Sequence, residues 1–67
     1  MTYEIDVYAA PHRLAAVHLV DVADGLHAQA VAAADVASAG AMFAEVFQCE
    51  PATGPVFYTL VPAAAGC

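Results

Sequence analysis

His18-Leu19-Val20-Asp21-Val22-Ala23-Asp24-Gly25-Leu26-His27-Ala28-Gln29-Ala30-Val31 is the stretch on which the fold turns. Asp-Gly is a favoured pair for a two-residue hairpin, because a type I′ turn needs positive φ at both central positions. Asp24-Gly25 is therefore expected to close a hairpin between an apolar run over 14–23 and a returning strand over 26–33. That register pairs Ala23 with Leu26, Val22 with His27, Val20 with Gln29 and His18 with Val31. One face then carries Val17, Leu19, Leu26, Ala28, Ala30 and Ala32, a small-residue surface on which a helix can lie close. The other carries His18, Val20, Val22, His27, Gln29 and Val31, with three valines left open. The rival reading is one helix from Gly25 to Gln48 capped by Asp24, which alanine's helix propensity favours. Against it, Leu26, Val31 and Val36 are spaced by five and five and walk around a helix instead of keeping to one side.

Upstream, Tyr3, Ile5 and Val7 alternate with Glu4, Asp6 and Tyr8, the period of two that marks a half-buried strand. Pro11 ends it. Downstream, Asp35 stands where an N-cap belongs, ahead of Val36, Ala39, Gly40, Phe43, Val46 and Phe47 at spacings of three and four, which predicts a helix. Pro51 and Gly54-Pro55 terminate that helix, and Val56 to Val61 is a β-branched and aromatic run bounded by prolines, hence a last strand. The sum is a single small α+β domain over residues 1–67. It is a small antiparallel sheet in the order β-β-β-α-β with one helix packed on one face, and residues 62–67 form a frayed tail.

Composition sets the limits within which this fold works. The chain has 67 residues, too few for a thick core. Val, Ile, Leu and Phe still make up about a quarter of it, above the level at which chains stay disordered. Seven acids stand against Arg13 alone, for a net charge of -6. Nucleic-acid binding depends on many basic contacts to phosphate, and docking on anionic membranes depends on basic clusters, so neither is expected. The N-terminus carries acids where a secretion signal needs positive charge, and the longest uncharged stretch, 51–67, is broken by three prolines. A cytoplasmic protein is expected, with Cys49 and Cys67 reduced and Cys49 at the end of the predicted helix.

Catalytic chemistry finds little support. His12, His18 and His27 with Asp21 and Asp24 resemble a ligand set as a string, but in the hairpin His18 and His27 lie roughly 13 Å apart, and one metal needs all its ligands close around it. Ser38 is the sole serine, no phosphate-cradling glycine loop is present, and Glu4 and Asp6 share a strand face without an implied pocket. No catalytic, metal or cofactor site is expected.

The expected function is that of a small acidic accessory protein, of the kind phages and mobile elements encode. It would bind a protein partner, such as the basic surface of a nucleic-acid enzyme, through an acidic face or a sheet edge. The residues singled out for that contact are Glu4, Asp6, Tyr8, His18, Val20, Val22, His27, Gln29 and Val31. Two alternatives stand beside it. One is a structural subunit of a homodimer or larger assembly. The other is a ribosomal peptide precursor processed at its C-terminal Cys67.

Overall fold

The computed structural model describes residues 1–63, so the readings of Cys67 and of most of the tail fall outside the described residues. Four strands and one helix follow in the order β1 (Thr2–Ala10), β2 (Arg13–Asp21), α1 (Gly25–Ala39), β3 (Phe43–Glu50) and β4 (Gly54–Pro62). The strands form one antiparallel sheet in the order β2-β1-β3-β4, with α1 on one face. The α+β class, the four strands and the single helix are as expected. The third strand, however, follows the helix instead of preceding it.

The difference lies at Asp24-Gly25. Asp24 has extended backbone and its side chain accepts a hydrogen bond from the His27 amide at 2.9 Å, an N-cap that satisfies one of the orphan donors of the first helical turn. The same two residues that favour a tight turn thus start a helix. The predicted hairpin pairing of Ala23, Val22, Val20 and His18 with Leu26, His27, Gln29 and Val31 does not form. The partners of Val20 and His18 are Tyr3 and Ile5 on β1.

Neither does the predicted helix from Asp35 through Phe47 stand. Asp35 lies inside α1, and the helix stops at Gly40, whose φ of 61° is the left-handed conformation that glycine tolerates best. Its amide donates to the Ala37 carbonyl, and the Ala41 amide donates to that of Val36, which closes the helix end. Phe43, Val46 and Phe47 satisfy a helical spacing by coincidence, and they form β3 with Cys49 near its end. The long-helix alternative is right about the Asp24 cap and wrong about the end.

Helix and sheet meet through small residues. Gly25, Ala28, Ala32 and Val36 form the buried stripe of α1, while Leu26 and His27 are exposed. Beneath it lie Tyr3, Ile5 and Val7 of β1 with Ala44 and Val46 of β3, and Ile5 is 0 % exposed. Alanines on the helix allow a close approach, so the alanine-rich surface belongs to the helix and not to a strand. The helix lies over β1, β3 and β4 and touches β2 more slightly. At that flank His18 Nδ1 stands 3.3 Å from Asp35 Oδ2.

Strand β4 carries a bulge. Val46 pairs with Thr59 and Phe47 with Phe57, leaving Tyr58 as an extra residue. Its ring turns to the helix side, packs edge-on against Tyr3 at 6.0 Å, and fills the space that a side chain at Gly25 would need.

Candidate functional site

Alternation along the strands sends every second side chain to the face that α1 leaves bare. Tyr8, Phe43 and Pro62 form one cross-strand row with Leu14. Asp6 and Glu45 form the next, between Val17 and Leu60, and Glu4 and Phe47 form a third, between Leu19 and Phe57. Tyr8 stacks on Phe43 at 4.9 Å, and Phe47 meets Phe57 edge to face at 5.8 Å. All three phenylalanines of the chain are thus on the uncovered face, together with Leu19 at 69 % exposure and Phe57 at 55 %.

At the centre of this apolar surface are three carboxylates. Asp6 is directly opposite Glu45 across β1 and β3, and Glu4 lies two residues along the same strand. Like charges facing each other across a strand pair are destabilising. Asp6 is pushed up to about 6, first by desolvation among the surrounding side chains and then by the adjacent Glu4 carboxyl. Its Oδ1 is buried without a hydrogen-bond partner among the described residues. The Tyr8 hydroxyl is likewise raised, by desolvation first and then by Glu45, Asp6 and Glu4. A cation held over this centre would relieve both the repulsion and the unmet acceptor. Arg13 makes no ion pair among the described residues.

Of the residues singled out from the sequence, Glu4, Asp6 and Tyr8 come together here. The others do not join them. His18 and Val20 point to the helix side, Val20, Val22 and Val31 pack against the core, and His27 and Gln29 ride on α1. Val17 and Leu19, expected beneath a helix, are on the open face instead. Glu45, an acid expected on a helix, joins them from β3, together with Phe43, Phe47, Phe57 and Leu60, which were not singled out for this contact. Alternation of Phe43, Glu45 and Phe47 with Ala44 and Val46 was the available signal.

Among the described residues no group of three His, Cys, Asp or Glu side chains is arranged so that it could hold a metal ion, and no helix is long and apolar enough to cross a membrane. A shallow 510 Å³ hollow lined by Ala33, Val36, Ala37, Gly40, Ala41, Pro62 and Ala63 lies at the opposite end of the helix and contains no ionisable side chain. No known protein family, curated protein or solved structure matches the chain.

Proposed function

We propose that the protein is a non-enzymatic interaction module whose open sheet face binds a protein partner bearing an arginine or lysine set within an apolar patch. The observation that carries this reading is the opposed pair Asp6 and Glu45, with Glu4 beside them, ringed by exposed leucine, valine and phenylalanine. Large aromatic side chains left in water and carboxylates held against one another are both costs in the isolated chain. A guanidinium or ammonium group on an aliphatic stem offsets both at once, because its stem covers apolar surface while its head meets the acids. A second copy of the same face does not, since stacking brings six carboxylates together without a cation.

Three of the seven acids gather at this centre, while Asp24 and Asp35 belong to the helix and Asp21 and Glu50 to strand ends. That distribution favours recognition of one or two basic side chains over imitation of a nucleic-acid backbone.

The test is capture of the partner from the native host, followed by titration of the purified pair at low and high ionic strength. Affinity is expected to fall with salt, with Asp6→Asn and Glu45→Gln, and with Phe57→Ser. Binding indifferent to salt and to both carboxyl substitutions overturns the reading.

A further inference from the structure

We propose that binding at the open face is linked to a proton: the free chain holds one proton between the Asp6 and Glu4 carboxyls, and a basic side chain docking over Asp6 and Glu45 displaces it to solvent. This linkage rests on the open-face binding proposed for the chain and adds its control by pH. Asp6 faces Glu45 across β1 and β3, and Glu4 is the next residue on the same side of β1. All three are half-buried, among Val17, Leu19, Leu60 and the phenylalanines. Asp6 Oδ1 is closed off from solvent and accepts no hydrogen bond among the described residues. In the ionised form it is an unmet acceptor beside two like charges, which is costly on both counts. The protonated form avoids both costs, because its O–H donates to the Glu4 carboxylate within hydrogen-bond reach and one negative charge leaves the centre.

The surroundings supply no substitute for the proton. On β1 the titratable neighbours are Glu4 and the Tyr8 hydroxyl, and on β3 the neighbour is Glu45. β2 contributes Val17 and Leu19, with Asp21 one row beyond Glu4 and engaged by the Met1 amino group at 3.1 Å. β4 contributes Leu60 and Phe57. The helix covers the opposite face, where Asp35 meets His18. No cation pairs with Glu4, Asp6 or Glu45 among the described residues. The Asp6 carboxyl is accordingly lifted to about 6, by desolvation first and by Glu4 next. A docked guanidinium or ammonium reverses both effects, since it gives the buried oxygen a donor and the centre a positive charge. Proton and basic side chain therefore exclude one another. The free chain takes up the proton as pH falls through about 6 while the bound chain keeps Asp6 ionised, so affinity rises with pH.

The free chain is tested first. A carboxyl-carbon NMR titration from pH 3 to 8 is expected to show Asp6 losing its proton near 6, with Glu4→Gln and Glu45→Gln each lowering that midpoint. An Asp6 midpoint in the ordinary aspartate range overturns the proposal whatever the face binds. The linkage is then read with a defined probe, an acetylated and amidated Leu-Arg-Leu peptide, whose single charge does not titrate in this range. Its affinity for the wild type is expected to fall about tenfold from pH 7 to pH 5. Asp6→Asn is expected to bind it more weakly and equally at both, although His12, His18 and His27 remain in place. Wild-type affinity that is the same at the two pH values overturns the proton linkage and leaves the open-face reading standing. A peptide that moves no open-face signal at either pH overturns both.

Discussion

The two faces of the sheet are made from opposite materials. Between helix and sheet the buried side chains other than Tyr3 are small or branched, among them Ala28, Ala32, Ala44, Ile5, Val7 and Val46. On the bare face are the phenylalanines, Leu19 and Leu60, and three mutually repelling carboxylates. Folding alone would place the largest apolar groups inside, where each gives about 1.5–3 kcal/mol on burial. Close helix packing stabilises the covered face, and the large groups left on the open face are what the proposed binding of a partner there accounts for.

The sharpest break between the faces is in their tolerance of truncation. Ile5→Ala leaves a hole at a fully buried position and is expected to cost about 2–5 kcal/mol, much of what a domain of this size possesses, as read by urea denaturation. Leu19→Ala on the open face is expected to cost less than about 1 kcal/mol by the same measurement. Equal losses at the two positions would erase the distinction. Next comes Gly25→Ala. An added methyl overlaps the hydroxyl end of the Tyr58 ring, so about 1–3 kcal/mol is expected to be lost, and Tyr58→Ala in the same chain should recover part of it. Asp24→Ala removes the cap from the covering helix for about 1 kcal/mol, visible as a lower denaturation midpoint with an unchanged slope.

The smallest expected effect has the opposite sign. Folding raises the Asp6 carboxyl from 3.8 to about 6, so the folded chain holds that proton more tightly than the unfolded one. Its contribution to stability is present below about pH 4 and disappears as pH rises through about 6. Asp6→Asn lacks this loss and is expected to be more stable than wild type at neutral pH, by up to about 1 kcal/mol after solvent screening. Parallel stability profiles from pH 3 to 8 would expose the difference. Under the proposed function the same substitution is expected to weaken partner binding, so stability and binding are expected to move apart at one residue. Wild-type and Asp6→Asn profiles that coincide would remove the electrostatic half of the contrast.

Much of the architecture was legible in residues whose pattern admits one reading. The alternation of Tyr3, Ile5 and Val7 marks the central strand, and the run between Gly54-Pro55 and Pro62 marks the last one. Asp24-Gly25 admits two readings, because a short acidic side chain followed by glycine suits a tight turn and a helix start alike; contacts with the rest of the chain decide between them. The buried stripe of α1 was hidden for a related reason. It is built from Gly25, Ala28 and Ala32, and a search for large apolar residues passes over them. Phe43, Val46 and Phe47 fit both a helical and a strand period, and Gly40 in its left-handed conformation settles the matter by stopping the helix first. Of the candidate site, Glu4, Asp6 and Tyr8 were visible because they share one strand. Glu45 and the phenylalanines join them only once β3 is set beside β1, which is a long-range pairing.

The doubled position at Phe57 and Tyr58 gives β4 a tolerance that its neighbours lack. A single-residue loss there restores a plain ladder and leaves Thr59, Leu60 and Val61 facing as they do now, whereas the same loss at the middle of β1 or β3 would turn part of the strand inside out. Length variation along the β3–β4 pair is therefore cheapest at one spot, and what disappears with it is the aromatic ring packed against Tyr3 and the helix start at Gly25.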